Sequence, residues 1–389
     1  MKWENKKIRE FADVFDGPHA TPKESNNGPV FLGIKNIKPE GGIDLSEIRH
    51  ISDYEFESWT KRVTPKGNDI VLTYEATLHR YAIIPDNFIG CLGRRMALVR
   101  VNQDEVNYKF LYYTFLSDNW RKFIDSNKLI GATVDRISIK DFPDYQIHLP
   151  PLPTQRRIAS ILSAYDDLIE NNLKRIKLLE EKAFLSYKLI VKSEKLGERK
   201  LNQVTQFLKR GISPKYVNDD GVVVLNQKCI RNHVVSFEES RQTDSEKGIP
   251  EERMLQKFDT LINSTGAGTL GRMAMNIQNE FPLTVDSHIT IVRANQEITP
   301  IFLCMSLFAS ENVIEMMGEG ATNQTELSPK KVGEEIKIPI VTNALMNEFE
   351  KETEPIFNLI WNLQKQNALL RQARDILLPR LMSGEIEIN

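Results

Sequence analysis

Cysteine is scarce in this chain: three residues in 389, Cys91, Cys229 and Cys304, with no C-x-x-C spacing. An odd, scattered set of thiols argues against a disulfide framework and a structural zinc, and it fits a reducing cytoplasm. Long apolar runs are also missing. No stretch approaches the ~18 residues of a membrane span, and the opening MKWENKKIRE has no apolar signal-peptide core. His19, His50, His79, His148, His233 and His288 show neither H-x-x-x-H nor H-E-x-x-H spacing, so no metal site is expected. There is no Walker loop, no G-x-S-x-G elbow, and no Asn- or Asp-Pro-Pro-aromatic run of the kind that holds a flipped base in amino-methyltransferases. These absences predict a chain without covalent chemistry of its own. Charge is nearly balanced, 51 Lys and Arg against 53 Asp and Glu, a net of -2. A nucleic-acid role would therefore need local basic patches or a basic partner.

What is present is a repeat. GATVDRISIKDFPDYQIHLP (131–150) aligns without a gap to GATNQTELSPKKVGEEIKIP (320–339), an offset of 189. FLGIKNI (31–37) matches VLNQKCI (224–230), NDIVLT (68–73) matches FDTLIN (258–263), and LVR (98–100) matches IVR (291–293). Offsets stay between 189 and 193, so the copies differ by short loop changes. Short β-rich runs such as DIVLTY, MALVRV, GVVVLN and HITIVR sit among turn residues, with one helical stretch per copy (KFLYYTFLSDNWRKFI and PIFLCMSLFASENVIEMM). Each copy reads as an α+β domain of about 150 residues.

Each domain runs into a long helix. In IHLPPLPTQRRIASILSAYDDLI (147–169), Pro150, Pro151 and Pro153 exclude regular structure, and Thr154 is placed to cap the helix; Asn343 is its counterpart. Leu162, Ile169, Ile176, Ala183 and Ile190 recur every seven residues, beside Ile158, Tyr165, Asn172 and Leu179. Phe349, Ile356, Leu363, Leu370 and Leu377 form the second helix's row, flanked by Leu345 and Ile360, with Pro355 bending or starting it. Such stripes predict that the two helices pack together, antiparallel, as a coiled coil. The expected fold class is α+β: two repeated α/β domains separated by a long antiparallel two-helix coiled coil with pseudo-two-fold symmetry. The divisions fall at 1–152, 153–196, 197–341 and 342–389. Helices of roughly 35–40 residues would span about 55–60 Å, one to two turns of B-DNA.

GAGTLG (266–271) fits G-x-G-x-x-G, and Asp286 lies about twenty residues later, as a Rossmann acid would. The residues after the glycines, RMAMNIQNEFP, alternate like a strand, and the matching YEATLHRYAII lacks the glycines. The loop reads as a glycine-rich β-turn rather than a cofactor site.

Three equivalent loop pairs carry polar side chains. TYEATLHRY holds Thr77 and Arg80 where NSTGAGTLGR holds Thr265 and Arg272. Thr133 and Arg136 stand against Thr322, Asn323 and Gln324. Lys35, Asn36 and Lys38 stand against Gln227, Lys228 and Arg231. Arg, Asn, Gln and Thr read base edges, and Lys neutralises phosphate. Each residue taken alone is also an ordinary solvated turn residue. Two copies that keep the loops and change the polar letters look like two readers of different targets. Arg156 and Arg157 occupy a first helical turn, where the macrodipole disfavours cations, so an anionic partner would suit them; solvation is the plain alternative.

The architecture and LPPLPTQRRIASILSAYDDLIENNLKRIKLLEEKA (149–183) closely resemble the specificity (S) subunit of type I restriction-modification systems. LLPRLMSGEI (377–386), FDGPHATP (15–22) and DIVLT…HRYAIIP (69–85) resemble further phrases of that family. The resemblance covers the whole chain; IPIVTNALMNEF, at the second helix, departs from the Pro-Pro-Leu and Gln-Arg-Arg pattern. It implies that each domain reads half of a bipartite double-stranded DNA site and that the helices set the gap. It further implies docking of two modification subunits, which carry S-adenosylmethionine and methylate adenine N6, and restriction subunits that use ATP and Mg2+. No cofactor is expected in this chain, and no membrane. A coiled-coil adaptor without DNA binding, and a nucleotide enzyme built on Gly266–Gly271, remain the competing readings at this stage.

Overall fold

The structure, a computed structural model, describes residues 3–129, 134–245, 248–266, 268–320 and 325–386. The chain forms two compact units: unit 1 comprises residues 1–170 and 367–389, unit 2 residues 171–366. Each long helix is thereby divided between the units.

In unit 1 an antiparallel sheet has the order Ala12–Asp16, Met96–Val101, Ile70–Thr73, Tyr81–Ile83. A smaller sheet pairs Ser25–Leu32 antiparallel with Arg49–His50 and parallel with Gly90–Leu92. Glu4–Lys7 pairs with Gln146–Leu149. All four residues of Ile70–Thr73 are buried, which explains the unbroken apolar run.

Unit 2 repeats this plan. Its antiparallel sheet runs Thr205–Arg210, Ile289–Ala294, Thr260–Asn263, Met273–Met275. Val222–Leu225 pairs parallel with Leu283–Val285, and Gly197–Lys200 pairs with Lys337–Ile340. The repeat seen in the sequence is thus a repeat of strand order. Its gapless stretch is not: the closing strands Gln146–Leu149 and Lys337–Ile340 correspond at 191, because a 3-10 turn (Phe142–Asp144) in unit 1 is replaced by a helix (Pro329–Glu335) in unit 2.

The helical stretch expected in each copy is two helices. Tyr108–Leu116 gives way to Asp118–Ser126 at Ser117, whose hydroxyl accepts the Trp120 N–H at 3.3 Å. Pro300–Ala309 and Glu311–Glu315 break likewise at Ser310.

The long helices run Leu152–Glu194 and Asn343–Met382. Thr154 does not cap the first. It lies inside the opening turn, and the Pro151 carbonyl accepts the N–H groups of Thr154 and Gln155. Pro151 and Pro153 have no donor to satisfy, so the start needs no side-chain cap. Asn343 is likewise helical; Thr342, just before it, accepts the Leu345 N–H at 3.3 Å. Pro355 is interior to its helix and exposed, leaving the carbonyl four residues back to water.

In unit 2 the helices are antiparallel: Asn172 bonds Gln366 at 3.1 Å, while Tyr187 meets Phe349 at 6.4 Å between centroids. Their seam joins the domain core through Phe302, which lies 5.1 Å from Tyr187 and 5.7 Å from Phe349. Phe302 and Phe349 are fully buried, each worth at most about 3 kcal/mol of apolar transfer. In unit 1, Ile158 and Leu162 pack in one core with Leu381. The second helix turns inward the row read from the sequence, but not that row alone. Beside it runs a second inward row, Met346, Thr353, Ile360, Asn367, Arg374 and Leu381, whose three polar members disguise a heptad and of which Arg374 alone is half-buried; of the expected row, Phe349 and Leu363 are buried and Ile356, Leu370 and Leu377 half-buried.

Candidate nucleic-acid interface

The strand ends of each four-stranded sheet carry loops held by one pattern of main-chain hydrogen bonds. In unit 1, Tyr74 N–H donates to Arg95 O at 3.2 Å, and Ile137 N–H donates to Tyr74 O at 3.0 Å. In unit 2, Ser264 N–H donates to His288 O at 2.7 Å, and Leu327 N–H to Ser264 O at 2.8 Å. Isolated bridges join Glu75 to Arg136 and Thr265 to Glu326. The main chain therefore equates Glu75, Arg95 and Arg136 with Thr265, His288 and Glu326. It holds these positions in register while the side chains differ.

In unit 1, Glu75 Oε1 lies 3.0 Å from Arg95 Nε. The approach is close but poorly aligned, and Arg95 Nε makes no hydrogen bond, so the pair is held by charge rather than by a directed bond. Arg95 has φ 69, in the left-handed region. Arg136 is exposed. Next to these, Tyr74 donates to Asp16 Oδ1 at 2.9 Å; burial and that carboxylate push the phenol's pKa up.

In unit 2, Thr265 Oγ1 donates to Gln227 Oε1 at 3.2 Å and lies 2.7 Å from His288 Nδ1. With the hydroxyl proton given to Gln227, Nδ1 is the donor to Thr265, and Nε2 of the exposed imidazole is an acceptor. The Gln227 amide N–H2 has no partner among the described residues. Gln227, Lys228, His288 and Asp286 line a cleft of about 380 Å³ with Tyr216 and Arg241. The Arg241 guanidinium sits 3.5 Å above the Tyr216 ring. Burial raises the Asp286 carboxyl above its usual range, opposed by the hydrogen bond from the His288 main-chain N–H.

Two expected base readers are spent on the fold. Asn36 is buried: its Oδ1 accepts the Gly33 N–H at 3.0 Å, and its Nδ2 donates to Asp44 O at 3.0 Å and Glu47 O at 3.2 Å. Arg80 Nη1 donates to Ile37 O at 2.9 Å and Ile34 O at 3.3 Å, pinning the turn to the loop. Both sit in polar loops and look available in sequence; main-chain carbonyls of the 34–47 segment claim them. Lys35 is exposed, Lys38 and Thr77 half-buried. Lys228 and Arg231 are exposed, Lys228 at 4.0 Å from Glu239, and Arg272 is half-buried without a side-chain partner among the described residues. Thr133, Thr322, Asn323 and Gln324 lie outside the described residues. Arg156 and Arg157 are exposed and make no ion pair among the described residues.

The glycine loop is a turn between two strands of the sheet. Gly266, Gly268 and Gly271 have φ of 105, 72 and 82, and the strand Met273–Met275, not a helix, comes next. Asp286 is buried, accepting the His288 N–H at 2.9 Å. No helix N-terminus is offered to a pyrophosphate.

Sequence reasoning passed over Glu75, Arg95, His288 and Glu326. Arg95 and His288 directly precede the strands Met96–Val101 and Ile289–Ala294, at the offset of 193 that relates LVR to IVR. Extending that match outward by a few residues reaches them. The letters differ there, so residue identity alone does not mark them as equivalent.

Residues 1–181 match the type I restriction modification DNA specificity domain, and the chain is similar over nearly its whole length to type I restriction enzyme specificity subunits. Across 99% of its length it is 24% identical to the type I restriction enzyme MjaIX specificity subunit of Methanocaldococcus jannaschii, covering 94% of that protein. It is 22% identical, with the same coverage, to the putative type I restriction enzyme MjaX specificity subunit of that organism. Its fold is similar to the S subunit of the type I restriction-modification system from M. genitalium, with TM-score 0.60 and 18% identity over 100% of this chain and 97% of that one.

Proposed function

We propose that this chain is the non-catalytic DNA-recognition subunit of a type I restriction-modification complex, each unit reading one half of a bipartite double-stranded site. The observation that carries the reading is one main-chain scaffold bearing two sets of polar side chains: Glu75, Arg95 and Arg136 against Thr265, His288 and Glu326. A structural adaptor has no use for such a difference. Segments 1–152 and 197–341 supply the reading loops, and segments 153–196 and 342–389 supply the helices that set the unread gap.

The helices also dock the partners. Leu178, Leu185 and Leu189 are 64%, 58% and 65% exposed on the first helix, a row that a partner helix would cover. Arg156 and Arg157 offer charge to an acidic surface. Two modification subunits would bring S-adenosylmethionine and methylate adenine N6, and restriction subunits would bring ATP-driven movement with Mg2+. The near-neutral chain would then rely on these partners for much of the DNA clamp, in the cytoplasm.

The test is genome-wide adenine methylation with and without this gene. Loss of methylation at one bipartite motif of fixed gap is the expected result. If methylation does not change, the chain is co-expressed with its methyltransferase partner, and sequence-independent DNA binding by that complex overturns the reading.

A further inference from the structure

The pair Glu75–Arg95 has chemistry beyond a surface ion pair. It joins two loops at the end of the central sheet, yet the guanidinium is incompletely used: Nε approaches Glu75 at 3.0 Å without an aligned hydrogen bond. Its backbone is held at φ 69, a conformation that a non-glycine residue rarely adopts and that tends to persist where function requires it. The side chains are 31% and 21% exposed, so both can be reached from outside. The equivalent positions of unit 2 carry a hydroxyl and an imidazole instead, on the same hydrogen-bonded main chain. A pair needed only to fasten the loops would not have to change, since the main-chain bonds fasten them in both units.

We propose that positions 75 and 95 in unit 1, and 265 and 288 in unit 2, are homologous specificity-determining positions, and that the Arg95–Glu75 pair reads a G·C base pair. This rests on the proposed DNA-reading role and deepens it. In the major groove guanine presents two acceptors, N7 and O6, and its paired cytosine presents one donor, N4. A guanidinium supplies two donors to the purine, and the adjacent carboxylate accepts from the pyrimidine. Thymine offers the carboxylate an acceptor and adenine offers the guanidinium a donor, so an A·T pair is refused twice. Unit 2 has a different complement: the amide N–H2 of Gln227, without a partner among the described residues, donates, and His288 Nε2 accepts, which suits adenine N7 and N6.

The test uses the chain in complex with its co-expressed methyltransferase partner. Binding competition is measured against duplexes in which each base pair of the two half-sites is replaced in turn. Wild type is expected to lose roughly 5- to 150-fold in affinity when one G·C pair of the unit 1 half-site becomes A·T. In Arg95→Ala that penalty disappears, while penalties at every other position, the unit 2 half-site included, remain. His288→Ala is expected to relax one position of the other half-site. Uniform weakening at all positions by Arg95→Ala overturns the proposal, because Arg95 then serves the fold or a phosphate. Unchanged discrimination at every position overturns it equally. If the wild-type complex prefers no sequence at all, the failure lies with the DNA-reading role itself.

Discussion

Arg293 grips Asp259 through two parallel hydrogen bonds, Nε to Oδ1 at 2.9 Å and Nη2 to Oδ2 at 2.7 Å. Arg100 grips Asp69 in unit 1 with the same atoms at the same two distances. Each carboxylate also accepts a main-chain N–H three residues before it, from Gln256 or Lys66. The guanidinium of Arg293 reaches on to the Met254 carbonyl and that of Arg100 to Thr64. This is the fastening common to both domains.

Removing one partner of such a pair leaves the other charge buried, at a cost of about 3–5 kcal/mol when both are fully enclosed. Arg293 is 8% exposed and Arg100 31%. Asp259→Ala is therefore expected to lower stability by more than Asp69→Ala, which water can partly repair. Urea unfolding of the two full-length variants, compared with wild type, checks the order; a reversed order contradicts it.

Asn36→Ala and Arg80→Ala test the assignment of those residues to the fold. Each removal strands buried carbonyls or N–H groups, costing about 1–3 kcal/mol. Thermal unfolding should shift down in both, and methylome sequencing should return an unaltered target sequence wherever activity survives. A changed half-site in either variant would return that residue to the reading surface.

The carboxyl of Glu180 is pushed up to about 7, first by burial, with His233 opposing and Glu181 adding to it. Its folded value lies above the unfolded one near 4.5. The stability it contributes is thus fully present below about 4.5 and is lost as pH rises through about 7. Partial exposure limits the effect to something on the order of 1 kcal/mol. Glu180→Gln is expected to melt higher than wild type at pH 8 and to flatten the melting profile between pH 5 and pH 8. Equal slopes for the two proteins would count against it.

An insertion meant to lengthen the unread gap must avoid residues 185–195, because Tyr187 belongs to the unit 2 core beside Phe302 and Phe349. One heptad after Glu170 together with one before Asn367 adds about 10 Å to each helix, close to three base pairs at 3.4 Å each. Methylome sequencing should show both half-sites unchanged and the gap longer by about three. An unaltered gap with methylation retained would exclude the helices as the spacing element.

The repeat and the positions of several strands were legible because both depend on runs of apolar residues; the order of strands in the sheets was not. Runs such as Ile70–Thr73 and Ile289–Ala294 are buried for the same reason they look like strands. The helices were legible from heptads of Leu and Ile. A second inner row was hidden, because Thr353, Asn367 and Arg374 break the apolar pattern, and Arg374 turns inward to a partner distant in sequence, Asp166. The candidate interface was the least legible part. Asn36 and Lys35 are adjacent polar residues in one turn, yet one faces inward and the other outward. No rule of composition separates them; the direction of a 3-10 turn does.

The inner row has a last consequence. Arg374 Nη1 donates to Asp166 Oδ1 at 2.6 Å, and Tyr113 donates to the other carboxylate oxygen at 2.6 Å, while Asn172 holds Gln366 in the other unit. Leucine tolerates a neighbouring leucine one heptad away, but a guanidinium moved by a heptad meets no carboxylate. A helix pair notched in this way has discrete settings and no continuum between them. On the proposed role of the helices in setting the unread gap, such a pair would act as a gauge block rather than a spring, and a site one base pair too wide would be met by strain rather than by adjustment.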